Sequence, residues 1–110
     1  MNFIHKDLAN GRWFSFSLNE QLANIGAEVG RAINWKNKDK KDLSRLAFFR
    51  ALELLYLTIE DKKNKSKLKE LTRLKEALGD YFMGDNIFGS SDKLWNNYFY
   101  FFNFAARRTQ

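Results

Sequence analysis

Between Leu94 and Arg108 the chain reads LWNNYFYFFNFAARR, and seven of those fifteen residues are aromatic. A run this rich in rings dictates the architecture around it. If it were a strand, Phe99 and Phe101 would face one side and Tyr98, Tyr100, Phe102 and Phe104 the other, so both faces would need apolar cover and a partner strand that the rest of the sequence does not offer. As a helix, Asn96, Tyr100, Asn103 and Arg107 recur at spacings of four, three and four and form a polar spine. Leu94, Tyr98, Phe101 and Ala105, beside Trp95, Phe99, Phe102 and Ala106, then make a wide aromatic wall. The spacing predicts a helix, against the individual preference of aromatic residues for strands. Phe104 falls at the edge of the wall.

Three further helices are written upstream. SLNE, from Ser17, is a capping-box pattern, and Leu18, Leu22, Ile25, Val29 and Ala32 follow on one face as far as about Trp35. Gly26 and Gly30 lie inside this helix, each costing about 1 kcal/mol against alanine. With Ala23 and Ala27 they form two ladders of small residues, which predicts close approach of another helix backbone. A second helix is expected from near Asp39 to about Asp61, with Asp42 in its first turn. Its rows Leu43, Ala47, Ala51, Leu54, Thr58 and Phe48, Leu52, Leu55, Ile59 point inward, and Arg45, Phe49, Glu53, Tyr56 and Glu60 face water. Such a broad apolar surface belongs to a central helix. After DKKNKSK, a third helix turns Leu68, Leu71, Leu74, Leu78 and Tyr81 or Phe82 inward and stops at Gly84, expected as a left-handed cap. GDNIFGSSD is a turn-rich loop, with Ser90 or Ser91 capping the aromatic helix. MNFIHKDLANG predicts one short N-terminal helix closed by Gly11, after which Trp13, Phe14 and Phe16 lid one end. The absence of proline suits this organisation.

The expected architecture is therefore all-α: an antiparallel four-helix bundle with a short N-terminal helix or extension, as a single domain over residues 1–110. One core is what a chain of 110 residues can bury. No apolar stretch reaches the roughly 20 residues of a transmembrane helix, and the start lacks the apolar region of a signal peptide, so a cytoplasmic protein without membrane association is expected.

Several chemistries lack their parts. There is no cysteine, and the one histidine, His5, has no Glu-x-x-His arrangement around it, so no metal or cofactor is expected. No nucleophile elbow or phosphate-binding loop is present, which argues against an enzyme. Two other features invite function. The net charge of +6 is concentrated between Lys36 and Lys75, with thirteen Lys/Arg against six Asp/Glu. Within it Lys62, Lys63, Lys65, Lys67, Lys69 and Arg73 are candidates for phosphate binding on RNA or DNA, although such runs are more often solvated loop charge. The first helix also carries a polar row, Gln21, Asn24, Glu28 and Arg31. It can line a groove, or Glu28–Arg31 and the analogous pair Arg50–Glu53 on the second helix can join in a partly buried charge network that fixes register.

The segments EQLANIGAEVGRAINW, RALELLYLTIED and LGDYFMGDN resemble a family of short prokaryotic all-helical proteins, over most of the chain from Trp13 to Arg107. In architecture the chain is also similar to the HEPN superfamily of helical bundles. The ribonucleases of that superfamily carry an arginine followed closely by a histidine, and no arginine precedes His5, so the resemblance implies a non-catalytic member. The combined expectation is a small non-enzymatic interaction module, homodimeric and accessory to a larger protein, with nucleic-acid binding through the lysine-rich loops as the alternative.

Overall fold

The structure, a computed structural model, describes residues 11–108. They form four helices that pack against one another: α1 (Leu18–Asn37), α2 (Lys41–Glu60), α3 (Leu68–Met83) and α4 (Asp92–Arg108). Two short 3-10 turns, Arg12–Ser15 and Lys62–Lys67, precede α1 and α3. There is no strand among the described residues, and no helix there is long and apolar enough to cross a membrane. The N-terminal helix expected over MNFIHKDLANG lies almost wholly outside them.

Local chemistry sets each boundary. The Ser17 hydroxyl accepts the Glu20 amide at 3.2 Å while Glu20 Oε1 accepts the Ser17 amide at 3.0 Å, so the capping box forms in both directions. At the α1–α2 junction Asp39 does not serve as a cap. It adopts the left-handed conformation (φ 58), Lys40 takes the N-cap position without a side-chain bond, and Asp42 sits in the first turn as expected. Gly84 differs from its expected role too: its backbone is extended (φ −108), and the left-handed residues are Asn86 and Gly89. A Cβ at position 84 would lie 3.1 Å from the Asp80 backbone, a tight contact that glycine avoids. The Asp80 carboxylate accepts the Ile87 and Phe88 amides at 2.8 and 3.0 Å, which pins the loop. Ser91 Oγ then accepts the Leu94 amide at 3.1 Å and opens α4.

The packing order across the molecule is α4, α1, α2, α3. α1 contacts α2 and α4, and α2 contacts α1, α3 and both 3-10 turns, so α1 and α2 are both inner helices. Most of the inward rows of α1 and α2 is buried, with Leu18, Leu52 and Ile59 half-buried, and Leu71, Leu74 and Leu78 of α3 are buried as well. Leu43 and Leu68, expected inward, are exposed, because both lie in the first turn of their helix where the packed surface tapers. The α1–α4 seam rests on Gly26: a Cβ there would lie 2.6 Å from Phe99 Cβ. Gly30 has nothing within 4 Å of a Cβ, so only Gly26 of the two glycines is explained by close approach.

The aromatic tail is helical, and its wall divides. Trp95, Phe99 and Ala106 are buried and Phe102 half-buried, whereas Leu94, Tyr98 and Phe101 remain 48%, 39% and 62% exposed. One row therefore completes the core and its neighbour faces outward. Trp95 and Phe99 stack at 6.1 Å, and Tyr98 and Phe102 meet edge-on at 5.2 Å.

Candidate functional site

The polar row of α1 separates into two lines, as helix geometry requires. Residues seven apart return to within about 20° of the same direction, so Gln21 and Glu28 share one line and Asn24 and Arg31 another. The first line is buried and the second exposed. Asn24 donates to the Glu20 carbonyl at 2.8 Å and faces water. Arg31 bonds Glu28 Oε1 at 2.7 Å, the expected i,i+3 pair. Glu28 Oε2 is buried with no hydrogen-bond partner. Arg50 makes no ion pair among the described residues, so Glu28 and Arg31 are not joined through it to α2. Glu53 is half-buried on the following turn.

Gln21 belongs to a different assembly. Its amide nitrogen donates to Asp61 Oδ2 at 2.9 Å and to the Trp13 carbonyl at 3.1 Å, and its carbonyl oxygen accepts from Asn64 at 2.8 Å. Asn64 also donates to the Thr58 carbonyl at 3.0 Å, and the Trp13 indole donates to Thr58 Oγ1 at 3.1 Å. Lys63 donates to the Asp61 carboxylate and to the Phe14 carbonyl. Trp13, Gln21, Thr58, Asp61 and Asn64 are all buried. Trp13 thus fills the expected lid position, while Phe14 stays at the rim. Burial alone would raise the Asp61 pKa, but hydrogen bonds from Lys63 and Gln21 outweigh it and hold the carboxyl below its ordinary value. A network whose buried polar atoms are satisfied in this way fixes register.

Thr58, Asp61 and Asn64 carry this network, and sequence reading does not single them out as polar partners. Thr58 sits in an apolar row, and Asn64 is hidden in a lysine-rich stretch without periodicity. Asp61 alone gives a signal, as an acid just before a new turn, where it accepts the Lys63 amide at 3.2 Å.

At the far end of α1 a second cluster ties three helices. Lys36 donates to Tyr81 Oη at 2.7 Å and Asp92 Oδ1 at 2.8 Å, Asn37 donates to Asp92 Oδ2 at 3.1 Å, and the Tyr81 hydroxyl donates to Asp92. Burial lowers the Lys36 pKa, yet the bonds to Asp92 and Tyr81 raise it on balance. Asp92 is pushed up by burial and further down by Lys36, Tyr81 and Asn37, so it ends below its usual range. Burial and the neighbouring carboxylate raise Tyr81.

Lys62, Lys65, Lys67, Lys69 and Arg73 are exposed on the second 3-10 turn and the start of α3, while Lys63 is committed to Asp61. No group of three His, Cys, Asp or Glu side chains suited to a metal occurs among the described residues. A shallow groove of about 220 Å³ runs between α1 and α4, with Ala23, Gly26 and Ala27 on one side and Asn96, Tyr100 and Asn103 of the polar spine on the other. Among the described residues the arrangement contains no histidine or cysteine. What it presents is surface: the outer row of α4 and the basic turn. No family model, curated protein or solved structure matches the chain.

Proposed function

We propose that this chain is a non-enzymatic interaction module that acts as a homodimer, with the outer row of α4, Leu94, Tyr98 and Phe101, as the self-association surface. The observation that carries this reading is the exposure of that row on a helix without a charged residue from Leu94 to Ala106. In a molecule of net charge +6, two copies repel wherever basic surfaces meet. The α4 face lets them meet without like charges opposed, and it offers the aromatic side chains in which interface cores are enriched. The accessory role places a larger protein partner on the same face.

Within each chain the same reading takes the helices as an antiparallel bundle. Its support is the pairing of early residues of one helix with late residues of the next: Ser44 with Ala32 and Gln21 with Asp61 for α1 and α2, Lys36 with Asp92 and Gly26 with Phe99 for α1 and α4. Nucleic-acid binding by the basic turn has less support, because Lys63 is turned toward Asp61 and the remaining candidate cations are confined to the second 3-10 turn and the first two turns of α3.

Light scattering on the full chain across a concentration series tests the dimer. The wild type is expected at the mass of two chains, and Tyr98→Glu/Phe101→Glu at the mass of one with unchanged helical circular dichroism. A one-chain mass at every concentration would overturn the proposal.

A further inference from the structure

The corner where α1 ends, α2 begins and α3 ends holds a pocket of about 210 Å³. Its apolar lining is Phe48, Phe82 and Met83, and its polar rim is Lys36, Lys41 and Arg45, with Ser44 between. Phe48 is buried and packs on Phe82 at 5.2 Å between ring centroids, so the floor is a fixed aromatic pair. The Ser44 hydroxyl is committed to the Ala32 carbonyl at 2.7 Å.

The rim is unequal in charge. Lys36 is neutralised by Asp92. The side chains of Lys41 and Arg45 form no hydrogen bond or ion pair among the described residues. Lys41 is also the first residue of α2, whose N-terminus has no side-chain cap. A cation there opposes the helix dipole, which favours negative charge at this end. Asp39 and Asp42 do not line this pocket; they line an adjoining depression together with Lys40, Lys41 and Leu43, so Lys41 stands between the two. Two cations without an ion pair among the described residues therefore stand one helical turn apart beside an aromatic floor.

The geometry points to a binding site for a small organic anion: a carboxylate or phosphate monoester held by Lys41 and Arg45, on a single-ring body that packs against Phe48, Phe82 and Met83. The size sets the class. Pockets for drug-sized ligands run to roughly 300–1,000 Å³, so this smaller one takes one ring and a charged head and excludes a dinucleotide. The charge sets the sign, because an anion satisfies the two cationic side chains at the N-terminal end of α2, the end where the helix dipole also favours negative charge. The site is independent of the α4 surface and would stand if the chain were monomeric.

The test is an NMR titration of the full chain with phenyl phosphate and phenylacetate, alongside benzyl alcohol and inorganic phosphate. Met83 is one of only two methionines, so its methyl signal is a direct probe. Saturable shifts are expected at the Met83 methyl and the Arg45 side chain for the two aromatic anions. Affinity should fall about tenfold or more for the neutral ring and for phosphate alone, the scale of one charge-assisted contact. Lys41→Gln and Arg45→Gln are exposed substitutions that leave the fold intact, and each should weaken phenyl phosphate binding by a similar factor. Equal response to benzyl alcohol, indifference to both variants, or shifts confined to α4 would each overturn the assignment.

Discussion

At one end of the bundle Gln21, Thr58, Asp61 and Asn64 are sealed from water with their buried polar atoms paired, whereas at the other Lys36, Tyr81 and Asp92 meet half in solvent. In the Lys36–Asp92 pair the side chains remain 38% and 32% exposed. Both ends tie together segments distant in sequence, yet they differ in what holds them. The sealed end relies largely on amide hydrogen bonds whose alternative is an unsatisfied group in a dry interior, a loss of about 1–3 kcal/mol each. The open end relies on an ion pair that water and salt can replace, and such pairs contribute about 0–1 kcal/mol. Similar connectivity therefore carries different energetic weight.

Removing the centre of the sealed network should have the largest effect. Gln21→Leu keeps the volume but takes one buried hydrogen bond each from Asp61, Asn64 and the Trp13 carbonyl, and denaturant unfolding should show a loss on the order of 3 kcal/mol. A change below about 0.5 kcal/mol, the range of ordinary surface substitutions, would mean that water replaces the amide and that the two ends are alike.

Asp92→Asn at the open end should cost about 1 kcal/mol or less, including the loss of an acid at the first residue of α4. Its difference from the wild type should shrink in 1 M salt, where exposed charges are screened, while the Gln21→Leu difference persists. Equal salt response in both variants would erase the contrast drawn here.

The smallest effect is the one read by pH. On the acid side the two ends behave alike, because Asp61 and Asp92 both have folded pKa values below 3.8. Each stabilises above its unfolded value and loses that contribution as pH falls through the folded one. On the alkaline side Lys36 and Tyr81 are raised above 10.5 and 10.0. Their contribution is complete below those values and disappears as pH climbs through the folded ones. Lys36→Met should therefore remove the Lys36 part of the stability loss at high pH, leaving that of Tyr81, which Lys36 otherwise holds down, and that of Tyr98, which burial and Glu70 also raise. An alkaline profile unchanged by the substitution would place the sensitivity elsewhere.

The sequence disclosed the helices better than it disclosed the sealed end. Apolar periodicity locates all four helices, including α4, where a single period reconciles seven rings with a polar spine. It cannot decide how many sides of a helix find a neighbour, so Leu94, Tyr98 and Phe101 read as part of the same wall as Trp95 and Phe99. Burial there depends on which helix lies alongside, and α4 meets chiefly α1. The Gln21 network is hidden for a related reason. Its members sit at positions 13, 21, 58, 61 and 64, and only the tertiary fold brings them within bonding distance. The seven-residue repeat does separate Gln21 and Glu28 from Asn24 and Arg31, a distinction obscured when the four are taken as one stripe.

Gly26 carries a consequence beyond its own contact. Because the Phe99 side chain packs directly onto the bare backbone of Gly26, the tilt of α4 has almost no slack. A single methyl at that point would lever the helix outward like a shim under a hinge. Tyr98 and Phe101 ride on the same rigid rod as Phe99, so their heading in solvent is governed from the opposite side of the helix by one absent carbon.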